Sequence, residues 1–135
     1  MTYHLKSSLA GLAALIAVSV SPLGAQAQEE TIKVGILHSL SGTMAISETT
    51  LKDVMLMLIE QQNEKGGLLG KKLEAVVVDP ASDWPLFAEK ARELIEVEGV
   101  EVLVGAPSSG VTQGLVSIAA EYGVVLMAGP AAAKN

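Results

Sequence analysis

The feature that most constrains this chain is a repeated alternation. Four short runs of β-branched and aliphatic residues, at 31–38, 72–79, 100–105 and 124–128, are each separated from the next by a segment of helical period. Runs that are nearly all apolar suit strands buried on both faces, as in a parallel sheet, whereas a half-solvated strand would alternate polar and apolar residues. The first intervening segment, 48–64, places Leu51, Val54, Met55, Leu58 and Ile59 at i, i+3, i+4, i+7 and i+8, one apolar helical stripe. Ser47 stands where an N-cap is expected, and Gly66 and Gly67 stand where the helix should stop. The second segment, 84–98, is opened by Asp83 with Pro85 in its first turn, buries Phe87, Ala91, Leu94 and Ile95, and stops at Gly99. The third begins at Ser108 or Ser109 and runs to Tyr122 before Gly123. It aligns Val111, Leu115, Ile118, Ala119 and Tyr122.

Strand and helix in strict alternation imply parallel pairing, right-handed crossovers and helices on both faces. The expected fold class is therefore α/β, an open, doubly wound parallel sheet with four strands. Ligands of such sheets bind outside the carboxyl ends of the strands, near the point where strand order reverses. Any site should then lie in the loops 39–47, 79–83, 105–110 and 128–133.

The N-terminus reads differently. Lys6 precedes an apolar run from 9 to 20, too short to span a bilayer, and Ala25 and Ala27 occupy the small positions of a cleavage site. Residues 1–27 are expected to be a secretory signal peptide and 28–135 the working domain. Pro22 and Gly24 break the segment where a buried N-terminal helix would continue. Lys6 is the one basic residue in 1–27 and no acid lies there, so the remaining 108 residues carry eight basic and 15 acidic side chains. The acids, among them Glu48, Glu60, Glu74, Glu93 and Glu121, are spread along the chain, which predicts a solvated surface and excludes nucleic acid as a natural partner. With no cysteine, neither disulfides nor thiolate metal sites are available, and packing alone must hold an exported fold.

The chemical motifs are sparse. Gly66, Gly67, Gly70, Lys71 and Lys72 resemble a phosphate loop superficially, but the spacing is short, a Lys stands at the magnesium-binding hydroxyl position, and the segment follows a helix. A helix stop and a tight turn into the second strand are expected instead. The turn 105–110 lies between strand and helix like a nucleophile elbow, yet it lacks the G-x-S-x-G spacing, and His38 is the only histidine beyond residue 27. Enzymatic activity and a cofactor are therefore not expected. The start of the third helix has two open readings: Ser109 either caps it, or its hydroxyl joins the helix N–H groups in holding a carboxylate or amide carbonyl. Asp79 and Asp83 are expected to be a strand end and a helix cap more than calcium ligands. Trp84, the single Trp, is expected to pack its helix in preference to stacking on a ligand.

Taken in order, residues 32–36 with Ser39, Ser41 and Gly42, the helix end 63–67 leading to 69–73, the strand end at Asp79, the helix 88–94, and Val104 and Gly105 before a serine-rich turn resemble the type 1 periplasmic solute-binding proteins of ABC importers. The branch is that of leucine/isoleucine/valine-binding proteins and their urea and short-chain amide relatives. Residues 39–48 and 79–85 look more like the urea/amide branch, and 108–113 and 123–131 more like the amino-acid branch. The resemblance implies a non-enzymatic, periplasmic carrier of a small amino acid, urea or short amide that delivers its ligand to a membrane permease.

By the same resemblance Ser109, with Ser108 beside it, matches the serine that meets the ligand's carboxylate. Ala131 and Ala133 fall in the loop that offers a carbonyl and, in amino-acid binders, a threonine hydroxyl. Ser47 falls where those binders often carry an aromatic that covers the ligand. The family also implies a second lobe. A chain ending at Asn135 is thus expected to be a truncated N-terminal part of such a protein, a partial first lobe that stops midway, with apolar faces of its fourth strand and third helix uncovered. An extracytoplasmic sensor domain of a receptor and an exported α/β enzyme are the alternative readings.

Overall fold

The computed structural model describes residues 30–129. The elements are β1 (Ile32–Leu37), α1 (Ala45–Glu64), β2 (Leu73–Val78), α2 (Trp84–Glu96), β3 (Val102–Gly105), α3 (Ser109–Tyr122) and β4 (Val125–Ala128). All pairings are parallel and the strand order is β2-β1-β3-β4. The reversal of order therefore falls between β1 and β3. In register, Val34 pairs with Ala75 on one side and Val102 on the other, which makes β1 a central strand.

Period-two alternation divides the sheet's side chains between two cores. Leu37 and Leu103 face α2 and α3 and join Phe87, Ala91, Leu94, Val111, Leu115 and Ile118 in the larger cluster. Val34, Ile36 and Val104 face the other way and meet Ile59, with Met55 and Leu56 at the margin. Helices on both faces make the sheet doubly wound, as its strand–helix alternation requires. At the amino edge the glycine-rich segment is a turn: Leu68 and Lys71 exchange backbone hydrogen bonds of 2.7 and 2.9 Å, and the Asn63 amide brackets the Leu73 backbone.

Two expectations about α1 and α3 are corrected. The helix α1 begins three residues before residue 48, its N-cap is Met44, and Ser47 lies inside its exposed first turn. Its inward stripe is also rotated. Glu48, Lys52, Met55, Leu56, Ile59 and Asn63 are buried or half-buried, while Leu51, Val54 and Leu58 are 40–47% exposed. The polar members of the true stripe concealed it from a purely hydrophobic reading. The uncovered apolar helix face consequently belongs to α1, since α3 buries Val111, Leu115, Ile118 and Ala119 as its spacing predicts. The edge strand β4 is uncovered as expected, with Val125 59% and Met127 56% exposed. Among the described residues no helix is long and apolar enough to cross a membrane.

Candidate functional site

The carboxyl edge of the sheet is a set of loops tied to one another by hydrogen bonds. Asp79, just past β2, accepts from the Leu40 N–H at 2.8 Å, the Ala81 N–H at 2.8 Å and the Ser41 hydroxyl at 2.7 Å. Burial works to raise its pKa, but the Ser41 hydroxyl and the N–H groups of Leu40, Ala81 and Ser41 outweigh it, and the carboxyl sits below its usual range. Ser82 completes the latch: its N–H donates to Ser39 Oγ at 2.9 Å, its hydroxyl donates to the Ser41 carbonyl at 2.8 Å, and Met44 N–H donates to Ser82 Oγ at 2.9 Å. Gly42 is required where these loops cross. Its φ is +80°, and a Cβ there would lie 2.6 Å from Ser82 Oγ.

Ala81, Ser82 and Ala106 hold φ of 53°, 58° and 66° in the left-handed region. Non-glycine residues there cost about 1–3 kcal/mol each and gather at binding sites, where surrounding contacts over-determine them.

Behind the first loop, His38 and Glu48 form a buried pair, 4% and 1% exposed. Glu48 Oε1 lies 3.0 Å from His38 Nδ1, and Oε2 accepts the Ser39 N–H at 3.0 Å. Glu48 also occupies the first turn of α1, where the helix dipole favours an anion. It is a corrected expectation, since its place among evenly spread acids predicted a solvated side chain. The one available signal was its spacing of four, seven and eleven from Lys52, Met55 and Ile59.

On the other face, the cap of the third helix is Ser108 and not Ser109. Ser108 has extended φ and ψ, and its hydroxyl accepts from Val111 N–H at 3.4 Å. Its carbonyl accepts from the Thr112 N–H and hydroxyl, both at 2.9 Å. Ser109 is then the first helical residue, half-buried, in the turn whose N–H groups have no intrahelical acceptor. Trp84 does not pack beneath its own helix. It is 62% exposed and leans across to α3, where a Cβ on Gly110 would lie 2.4 Å from the indole. Asp83 caps α2 by accepting from Leu86 N–H at 2.9 Å, and both loop carboxylates are therefore engaged by protein donors.

Ser108, Ser109 and Trp84 are thus brought together at the carboxyl edge. Ser47 is not with them: it lies on the helix of the opposite sheet face, and its hydroxyl donates to the Met44 carbonyl at 3.1 Å. Ala131, Ala133 and the signal segment 1–27 lie outside the described residues.

Comparison with known proteins agrees with this geometry. Residues 32–127 match the family model described as the periplasmic binding protein domain. A Leu/Ile/Val-binding protein homolog 7 of Brucella abortus is 37% identical over 98 residues, 71% of this chain and 24% of that protein. The leucine-, isoleucine-, valine-, threonine- and alanine-binding protein of Pseudomonas aeruginosa is 33% identical over 106 residues, 78% of this chain and 28% of that one. Among solved structures, the branched-chain amino acid transporter substrate binding protein LivJ of Streptococcus pneumoniae, in complex with isoleucine, superposes with a TM-score of 0.74 at 29% identity. It covers 78% of this chain and 30% of its own. The chain spans about a quarter of the length of the curated relatives it matches.

Proposed function

This chain belongs to the periplasmic binding protein family, and on that premise we propose that it is the solute-recognising part of an ABC importer's binding protein. Its ligand is a small amino acid or amide whose carboxylate or carbonyl docks on the first turn of α3. The observation that carries this reading is the arrangement at the carboxyl edge. A serine-capped helix start at Ser108 and Ser109 sits beside an exposed indole, next to loops held in place by Asp79 and Ser82. Helix N–H groups and the positive dipole end favour an anionic or carbonyl oxygen, and the indole offers an apolar wall. Hydrogen bonds that hold these loops to one another reduce the entropy lost on binding. The partner in this reading is a membrane permease, the location the periplasm, and 1–27 the export signal. The protein binds its solute without transforming it.

The test is a melting-temperature titration of the purified chain with leucine, isoleucine, urea and acetamide. The matched region is about a quarter of the relatives' length and supplies only part of their ligand contacts in this reading, so a millimolar Kd, about −4 kcal/mol, is expected. At ten times that Kd the gain in stability is about 1.4 kcal/mol, a readable upward shift. Ser109→Ala should abolish the shift. No shift with any of the four solutes would overturn the proposal.

A further inference from the structure

The turn 80–83 is built against its own sequence. Ala81 and Ser82 hold φ of 53° and 58°, and across them the Asp83 N–H donates to the Pro80 carbonyl at 2.9 Å. A tight turn with two left-handed central residues favours Asn and Gly there, because a Cβ is crowded in that region. Among the described residues this is the one consecutive pair at positive φ that contains no glycine. Local preference does not hold the turn, so contacts from elsewhere must.

Those contacts come from the loop 39–44. Ser82 N–H donates to Ser39 Oγ, the Ser82 hydroxyl donates to the Ser41 carbonyl, and Met44 N–H donates to Ser82 Oγ. The Asp79 carboxylate joins the Leu40 N–H and the Ser41 hydroxyl to the Ala81 N–H. Each loop thus holds the other. Most of these bonds lie at exposed positions, where water can replace them. Strain on one side and solvent-facing hydrogen bonds on the other are comparable in size, so these loops open more easily than the sheet behind them.

We propose that 39–44 and 79–83 form one strap that opens and closes as a unit, with Ser82 as its catch, and that the closed strap positions Trp84 on Gly110. The link to Trp84 is covalent and short. Asp83 closes the turn through its N–H and caps α2 by accepting from Leu86 N–H at 2.9 Å, so the turn sets where α2 begins. Trp84 is the first residue of that helix, and its indole reaches Gly110, where a Cβ would lie 2.4 Å from the ring. When the turn relaxes, the start of α2 loses this reference and the ring leaves Gly110. The strap closes without solute, so the melting titration above and the exchange experiment below fail independently.

The experiment is amide hydrogen exchange of the full ¹⁵N-labelled chain, read by NMR. Protection at Leu40, Met44, Ala81 and Ser82 should agree within about threefold and fall well below that of the β1 amides. Ser39→Ala removes the acceptor of the Ser82 N–H alone. It should nonetheless lower protection about fivefold at Leu40, Met44 and Ala81, whose own acceptors remain, with β1 unchanged. Ala81→Gly keeps every hydrogen bond and should raise protection at the same amides about threefold, since relief of left-handed strain exceeds the freedom glycine gains in the open strap. Ser82→Val puts a β-branched residue in the left-handed region and removes the catch. It should open the strap while the β1 amides stay protected, and move the Gly110 Hα resonances to their positions in Trp84→Ala. Scattered protections, an effect of Ser39→Ala confined to Ser82, or an Ala81→Gly variant with lower protection would each overturn the proposal. So would a strap that stays closed in Ser82→Val, or Gly110 signals that stay in place once that variant has opened it.

Discussion

Glu48 and His38 meet at 3.0 Å behind the carboxyl end of the central strand, and each is almost fully withdrawn from solvent. The carboxylate serves two donors, the imidazole and the Ser39 N–H, on which the first loop of the carboxyl edge is hung. Glu48→Ala would strand both, and a buried unsatisfied donor costs about 1–3 kcal/mol. A loss of about 3 kcal/mol is expected from the urea unfolding midpoint at constant m. Glu48→Gln keeps one acceptor and should lose about half as much. An alanine variant as stable as the parent would remove this pair from any structural role.

Asp79 makes the fold's acid response specific. Its folded pKa is lowered, so the stability it contributes is present above the unfolded value of about 3.9 and lost as pH falls through the lowered folded value. Asp79→Asn should cost about 1–2 kcal/mol at neutral pH, in line with hydrogen bonds to a charged acceptor at a partly exposed site. The gap between the two proteins should then shrink below pH 4. Parallel melting curves that keep a constant separation from pH 7 to pH 2 would contradict the assignment.

Gly110 and Trp84 should be coupled. A Cβ at 110 would lie 2.4 Å from the indole, so Gly110→Ala must displace the ring or the start of α3, at a cost of about 1–3 kcal/mol. In a Trp84→Ala background the clash is absent, and the same substitution should stabilise the helix by about 0.5–1 kcal/mol. The double-mutant cycle should therefore give a coupling near 2 kcal/mol. Additive effects would show that the ring does not rest on Gly110 in solution.

Ser108 caps α3, and the proposed solute reading assigns recognition to Ser109. Ser108→Ala removes the cap that accepts from Val111 N–H and should cost about 1 kcal/mol. In the proposed reading, Ser109→Ala, one residue on, should act on solute binding, read as loss of the ligand-induced melting shift. A Ser109→Ala variant that keeps the full ligand-induced shift would contradict that assignment.

The order of elements was legible because it depends on local pattern. The runs of β1 and β2, the Asp83 cap, the stop at Gly123 and the inward stripe of α3 are properties of a few neighbouring residues, and each falls where its spacing places it. The loops that could carry a site were legible for the same reason, since parallel sheets bind at their carboxyl ends. The residues that shape those loops were not. Asp79 finds its donors at Leu40 and Ser41, some forty residues away, and Ser82 finds Ser39 and Ser41. No short-range pattern records such a meeting.

By itself, then, the sequence determined the alternation of strands and helices, the parallel doubly wound sheet and its family. Hydrophobic period, caps and turn residues are local, and they agree with one another along the chain. The tertiary structure alone decided which way α1 turns, why Glu48 is buried while Leu51 and Val54 are not, and that Trp84 lies on Gly110. Those outcomes follow from which donors and acceptors must be satisfied once strands 2, 1, 3 and 4 lie side by side. A buried carboxylate is stable only where the fold brings it N–H groups, and only the assembled sheet does that.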